Sequence, residues 1–201
     1  MKKSFSFPII FMIVITAFFT FILAFLNYST ADKIALNQEI DLSRKILYIF
    51  DILPESDNPK EIVAVFQDRI ESTPYGDHEI FIYKDEAGEI QGYAVPVNGP
   101  GLWGSVEGYI GISSDYSTVL GLDFISHSET PGLGGRISED DYKGQFRGLD
   151  LSDVVDDNYI IYRPAPGGNV DAIAGATLTS KSVSKLINED LGHFFREGGN
   201  R

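Results

Sequence analysis

An uncharged apolar stretch near the N-terminus constrains the fold more than any other part of the sequence. It runs from Phe5 to Leu26 and reads FSFPIIFMIVITAFFTFILAFL. As a helix it would extend over about 33 Å, enough to cross the hydrocarbon core of a bilayer. A cleaved signal peptide is the alternative, because STA before Asp32 resembles a cleavage site, but the apolar core of such a signal is usually about 7–15 residues long. We therefore predict a retained membrane anchor over residues 1–31.

The charges around this stretch predict its orientation. Lys2 and Lys3 are the only charged residues among the first 31. Because cytoplasmic flanks of membrane helices are enriched in Lys and Arg, we expect a single pass through the cytoplasmic (inner) membrane, with the N-terminus in the cytoplasm. Everything after Asp32 would then lie on the extracytoplasmic, periplasmic side. The stretch contains no ionisable group, so we do not expect it to conduct an ion.

The rest of the chain is strongly acidic and lacks cysteine. The whole chain carries a net charge of −13, and without its two N-terminal lysines residues 32–201 carry −15. This charge argues against nucleic acid as a partner. The absence of cysteine excludes disulfides, a lipoprotein anchor and a thiolate-bound iron–sulfur cluster. His78, His127 and His193 have neither zinc-ligand spacing nor triad partners, so we predict no metal site and no catalytic residue.

Helical periodicity continues after the anchor. DKIALNQEIDLSRKILYIFDIL has apolar residues near helical spacing. DNPKEIVAVFQDRIE predicts a second helix, which Asn58 would cap and in which Pro59 would take the first position. We therefore assign residues 32–75 to a helical stalk.

The period then changes to that of strands. HEIFIYKDEAGEIQGYAVPVNG predicts two strands around a turn at Asp85–Gly88, and EGYIGISSDYSTVLGLDFISH predicts a second pair around Ser114–Ser117. A short helix in EDDYKGQF, a strand in DNYIIYRP and a loop at PAPGG follow. A last helix from about Thr179 to Arg196 would end at Gly198 and Gly199. The pattern predicts an α+β domain over residues 76–201, with an antiparallel sheet and flanking helices.

Two glycine-rich loops connect or follow these strands. GPGLWG (99–104) matches the letters of the dinucleotide fingerprint, but the chain continues as a strand instead of a helix, so we reject that interpretation. Trp103 would either cover the core or lie beside an aromatic ligand. HSETPGLGG (127–135) is either a flexible surface loop or one whose glycines let the backbone approach a flat ligand closely. In that loop His127 is more typical of a structural hydrogen-bonding residue than of a general base.

The segment DAIAGATLTS (171–180) precedes the last helix and also allows two interpretations. Thr179 or Ser180 would cap the helix, which accounts for its stability but leaves Thr177 unexplained. Alternatively, the free amides at the helix start would bind a phosphate group, with the Thr177 hydroxyl beside it.

DAIAGATLTS resembles the flavinylation signature of the NqrC/RnfG family, in which Asp and a few small or hydroxyl residues precede Gly-Ala-Thr. In that family the Thr carries FMN through a phosphoester bond that a flavin transferase forms. HSETPGLGGRI resembles the family's second hallmark, a loop along the isoalloxazine ring, and GPGLWG is similar to a segment of NqrC-type members. Ala174 departs from the pattern, since the family usually has Ser or Thr there. The resemblance implies covalent FMN on Thr177 and further cofactor-binding residues, namely Asp171, Gly175, Ala176, Leu178, Thr179, Ser180, Glu129, Thr130, Pro131, Gly132, Leu133, Gly134 and Trp103.

The same resemblance implies a function for the chain. It would be an electron-transfer subunit of an Rnf or Na+-NQR type complex, which couples oxidation of NADH or ferredoxin to ion movement. Its partners would be the other membrane, iron–sulfur and flavin subunits of that complex, together with the flavin transferase. Two alternatives stay open: a flavin module of another extracytoplasmic reductase, and a membrane-anchored interaction domain without redox chemistry.

Overall fold

The computed structural model describes residues 6–152, 154 and 157–197. The chain divides into two compact units, Met1–Asp41 and Leu42–Arg201. The predictions that concern Lys2, Lys3, Gly198 and Gly199 lie outside the described residues.

The first helix, α1, spans Ser6–Ile49 and crosses the division between the units. It is long and apolar enough to cross a membrane, with a mean hydropathy of 2.9 over its most apolar 18 residues. Its N-terminal part exposes large apolar side chains such as Phe7 and Phe21. Such exposure is costly in water and favourable in a bilayer. The single continuous helix confirms that the amphipathic stretch extends the apolar one.

The second helix, α2, spans Pro59–Arg69. The Asn58 side chain accepts a hydrogen bond from the Lys60 amide, and Pro59 takes the first helical turn, as predicted. The helix ends at Arg69 because Ile70 is already in extended backbone. Ile70 opens a strand that the sequence analysis missed.

Five strands form one antiparallel sheet in sequence order. They are β1 (Ile70–Tyr75), β2 (His78–Lys84), β3 (Ile90–Pro100), β4 (Ser105–Ser113) and β5 (Val119–His127). The predicted hairpins are confirmed: the Gly88 amide donates to the Asp85 carbonyl at the β2–β3 turn, and residues 114–118 connect β4 to β5.

Short elements and the last helix complete the domain. A 3-10 helix at Gly134–Ser138, α3 (Asp140–Lys143) and a 3-10 turn at Gly144–Phe146 come first, followed by the parallel pair β6 (Tyr162–Arg163) and β7 (Val170–Asp171) and then α4 (Thr177–Glu197). The short helix in EDDYKGQF is confirmed. The strand expected in DNYIIYRP is reduced to its last part, and β7 was not predicted.

The sheet packs on both faces. Neighbouring strand residues point to opposite faces, so Ile80 joins one apolar cluster with Val183 and Leu191 of α4, whereas Phe81 joins another with Ile46 of α1 and Ile62 of α2. The predicted α+β architecture is therefore confirmed, with α4 against one face and the end of α1 against the other.

Candidate functional site

Three loops meet at the carboxylate of Glu129. Its Oε1 accepts hydrogen bonds from the amides of Leu102, at 2.7 Å, and Trp103, at 3.2 Å. Its Oε2 accepts one from the Thr179 hydroxyl at 2.5 Å. The structure therefore brings together the β3–β4 loop, the loop after β5 and the first turn of α4, which are the three segments singled out in the sequence.

The helix α4 begins two residues earlier than predicted, at Thr177 instead of Thr179. The Ser180 amide makes the first intrahelical bond, to the Ala176 carbonyl at 3.0 Å. Because the initial amides of a helix have no intrahelical acceptor, those of Thr177, Leu178 and Thr179 are the ones positioned to bind an anion. The Ser180 amide, also considered for phosphate, is engaged within the helix.

The three hydroxyl groups at this helix start lie in different environments. Thr177 is exposed, whereas Thr179 is 1% exposed and Ser180 is fully buried. The Thr179 hydroxyl donates to Glu129. The Ser180 hydroxyl donates to the Ala176 carbonyl and accepts from the Ile173 amide. Thr177 is therefore the hydroxyl of this group that a modifying enzyme can reach.

Glycines make the close approach of the loops possible. A Cβ on Gly101 would lie 2.5 Å from Glu129 Oε1, and one on Gly134 would lie 2.5 Å from Thr179 Oγ1. Such distances are far shorter than normal carbon–oxygen contacts. Gly175 has a φ of +80°, a backbone conformation that favours glycine, and faces the Leu133 side chain. These positions explain much of the glycine content of the two loops and the helix entry.

Large apolar side chains in these loops are exposed. Trp103 is 68% exposed and Leu178 is 60% exposed, and Leu102 and Leu133 are also exposed. They belong to the segments that Glu129 joins. Clustered apolar exposure on a water-facing domain is typical of a binding surface. The alternative in which Trp103 covers the core is wrong.

The other predicted residues frame this cluster. The Thr130 carbonyl accepts from the amides of Leu133 and Gly135, closing the loop in which Pro131 and Gly132 are exposed. Asp171 is exposed and forms an ion pair with Arg163 at 3.1 Å.

Two further residues considered in the sequence have roles in hydrogen bonding and in a cleft. The His127 ring bonds the Ser138 hydroxyl at 2.9 Å and accepts from the Glu129 amide at 3.3 Å, so it is a structural hydrogen-bonding residue as expected. Lys181 lines a polar cleft of about 650 Å³ along α4 together with Ser184.

The charge of Glu129 is stabilised by its donors. Burial by itself would raise the pKa of this carboxyl, but the hydrogen bonds from Thr179 and from the amides of Trp103 and Leu102 outweigh burial and hold the pKa below its usual range. Glu129 is only 4% exposed. The sequence analysis placed it at the lip of the loop, and it missed Leu102 and Gly101 because only the folded chain brings them to Glu129.

Comparison with known proteins identifies the fold and the family. Residues 101–192 match the FMN-binding domain family. The chain is 36% identical over 126 residues to the RnfG-type subunit of the ion-translocating oxidoreductase complex of Methanosarcina acetivorans, a match that covers 62% of this chain and 63% of the relative. It is 33% identical over 120 residues to the NqrC subunit of the Na+-translocating NADH-quinone reductase of Pasteurella multocida, covering 57% of this chain and 45% of the relative.

The chain belongs to the NqrC/RnfG family. The matches to both of these family relatives span less than two thirds of the relative's length. The crystal structure of the NqrC subunit of the Na+-translocating NADH-quinone reductase from Parabacteroides distasonis resembles this family member with a TM-score of 0.66 at 25% identity, covering 81% of this chain and 93% of that chain.

The residues of this NqrC/RnfG family member fit FMN. The exposed Thr177 hydroxyl and the first amides of α4 suit a phosphate group. The exposed side chains of Trp103, Leu133 and Leu178 suit a flat aromatic ring. A side chain on Gly175 would contact Leu133 and narrow the space between phosphate and ring positions.

Proposed function

We propose that this chain is the FMN-carrying electron-transfer subunit of a membrane-bound, ion-translocating oxidoreductase complex of Rnf or Na+-NQR type, with FMN attached to Thr177 through a phosphoester. The observation that carries the proposal is the contrast among the hydroxyls of α4. Thr177 is exposed at the first helical position, whereas the hydroxyls of Thr179 and Ser180 are buried and hydrogen-bonded.

The family relatives support the complex in which the chain would act. Their names describe components of ion-translocating oxidoreductases, and α1 would hold this chain in the same membrane. Its partners would be the other membrane, iron–sulfur and flavin subunits of such a complex, and a flavin transferase would attach the cofactor.

Each part of the site would then have a distinct task. Bound FMN supplies the electron-transfer chemistry. The amides of Leu178 and Thr179, at the positive end of the α4 dipole, would stabilise the phosphate charge that remains after esterification. The exposed Trp103 and Leu133 side chains would pack against the ring and exclude water from it.

Mass spectrometry tests the attachment. The full chain would be co-expressed with a flavin transferase as wild type, Thr177→Val, Thr177→Ser and Thr179→Val, purified in detergent and denatured in acid to remove any non-covalent flavin. Wild type and Thr177→Ser should gain the mass of one FMN less one water, because both present an exposed hydroxyl. Thr177→Val should gain nothing, while Thr179→Val keeps the modification.

The other outcomes distinguish the alternatives. A mass gain that persists in Thr177→Val and disappears in Thr179→Val would move the bond to Thr179. No gain in any form, with the same transferase active on another substrate protein, would favour the interaction domain without redox chemistry.

A further inference from the structure

One buried carboxylate connects all the segments of the site. Glu129 bonds groups that are 26 and 27 residues before it and 50 residues after it in sequence. Its three partners, two amides and a hydroxyl, act as donors toward it. An ionised carboxylate satisfies all of them because it has acceptor lone pairs on both oxygens and no proton.

The surroundings leave this carboxylate little freedom to do anything else. The side chain is 4% exposed. A Cβ on Gly101 would lie 2.5 Å from Oε1 and one on Gly134 would lie 2.6 Å from Oε2, so the backbone encloses both oxygens. Glu129 is therefore poorly placed to contact a ligand directly, although it lies in the loop expected to follow the ring.

We propose that Glu129 is a positioning residue whose carboxylate fixes the Trp103 loop against the first turn of α4, so that the apolar ring-binding residues and the Thr177 acceptor keep one relative placement. The consequence for a bound flavin rests on the proposed function. The fixing of the loop does not, because it follows from contacts within the chain.

The loop can be tested without flavin, since Trp103 is the single tryptophan of the chain. Time-resolved fluorescence anisotropy of the unmodified full chain in detergent would report the mobility of the residue. Glu129→Gln and Thr179→Val should increase the amplitude of its fast motion. Thr179→Ser, which restores the hydroxyl, should return it to the wild-type value. Glu107→Gln, which alters an exposed carboxylate bonded to Ser105 and Ser126, is the matched control and should have no effect.

An acid titration of the same signal separates a specific contact from general loosening. The hydrogen bonds at Glu129 hold its pKa below the ordinary 4.5, so its folded-state contribution to stability is present above that pH and is lost as the pH falls through the lowered value. The Trp103 transition of the wild type should lie below pH 4.5. It should move upward in Thr179→Val, because the bond that lowers the pKa is removed, and should be absent in Glu129→Gln.

His127 is the other titratable group near this carboxylate, because its ring accepts from the Glu129 amide. A His127→Gln variant should keep the acid transition. Circular dichroism of the same samples would show whether the domain unfolds over the same pH range. Unchanged Trp103 mobility and an unchanged acid transition in both Glu129→Gln and Thr179→Val would overturn the positioning role.

The flavinylated protein provides the functional measurement. The midpoint potential and visible circular dichroism of attached FMN should shift in Thr179→Val and return toward wild type in Thr179→Ser. If the wild-type chain takes up no flavin, the proposed function fails while the anisotropy experiment still decides the role of Glu129. If flavin is attached and its properties match in all variants, the carboxylate does not position the flavin site.

Discussion

At the scale of single residues, burial decides which of several similar side chains is available for chemistry. Thr177 and Thr179 are two residues apart, yet one is exposed and the other is enclosed by Glu129 and Gly134. A helix turns by about 100° per residue, so positions two apart lie on nearly opposite sides. The structure therefore ranks acceptors that the sequence motif alone left as rivals.

Two tyrosines give a residue-scale prediction about alkaline pH. The Tyr142 and Tyr162 hydroxyls are 2.5 Å apart. Burial raises the pKa of Tyr162 to about 12, despite an opposing hydrogen bond from Tyr142, and it raises the pKa of Tyr142 well above the ordinary value. Both phenols therefore remain protonated in the folded chain at pH values where an unfolded chain ionises them.

The sign of the effect on stability follows from that difference. Because the folded pKa is the higher one, the contribution is fully present below pH 10 and is lost as the pH rises toward about 12. Tyr162→Phe should flatten the fall in unfolding free energy over this range by up to about 1.4 kcal/mol per pH unit. Urea denaturation at several pH values measures it, with the exposed Tyr28→Phe as control. Equal slopes in wild type and Tyr162→Phe would contradict the prediction.

At the scale of elements, local chemistry predicted the helices and hairpins well. The Asn58 cap and the Asp85–Gly88 turn depend on neighbouring residues, so the sequence sufficed for them. β1 escaped notice because most of its side chains are exposed and it contains Pro74, which is tolerated on an edge strand. Nothing in its pattern indicates a buried face.

The candidate site divides in the same way. Its three segments were visible as motifs, and the family resemblance indicated their shared purpose. The contact of Glu129 with Thr179, 50 residues away, depends on the packing of the whole domain. An acidic residue in a loop ordinarily indicates solvent exposure, so its burial could not be deduced from spacing.

A buried ion pair connects α3, β5 and the end of α1. Lys143 Nζ lies 3.0 Å from an Asp123 carboxylate oxygen and 4.3 Å from the centre of the Tyr48 ring. Both charged side chains are buried. Although burial alone would lower the pKa of Lys143, the charge and hydrogen bond of Asp123 raise it, so the ammonium remains charged.

Removing one member of this pair should destabilise the domain strongly. Lys143→Met leaves the Asp123 carboxylate buried without its cation, and we expect a loss of about 3–5 kcal/mol in unfolding free energy. The double variant Asp123→Asn/Lys143→Met should recover part of it. Lys185→Met removes an exposed lysine 3.8 Å from Glu189 and should change stability by less than about 1 kcal/mol. Chemical denaturation of the full chain in detergent compares the three, and a small loss in Lys143→Met would contradict the expectation.

At the scale of the whole molecule, the chain combines an uncharged apolar helix with an acidic domain. The net charge of −13 opposes association with anionic lipid surfaces, so membrane attachment depends on α1. Arg147 fixes the end of that helix, because its guanidinium donates to the carbonyls of Tyr48, at 2.8 Å, and Ile49, at 3.3 Å. A cation at a helix C-terminus also interacts favourably with the helix dipole.

The side of the membrane on which the domain lies is the last prediction. Lys2 and Lys3 are the only charges near the start of the apolar stretch, so the domain should be extracytoplasmic. In spheroplasts, added protease should digest the domain, while inverted membrane vesicles should protect it. Lys2→Glu/Lys3→Glu should reduce the digestible fraction in spheroplasts. N-terminal sequencing of the membrane-bound protein would show whether the apolar stretch is retained.

The opposite protection pattern would place the domain in the cytoplasm and remove one physical reason for a covalent cofactor. On the extracytoplasmic side a dissociated FMN would be lost from the cell's supply, because binding there cannot be renewed by mass action from a cytoplasmic pool. A phosphoester on the exposed Thr177 prevents that loss, whereas the open, apolar surface around Trp103 and Leu178 would hold a free flavin only by packing. The topology and the covalent bond are therefore linked predictions, and a cytoplasmic domain with flavin on Thr177 would show that retention is not what the bond provides.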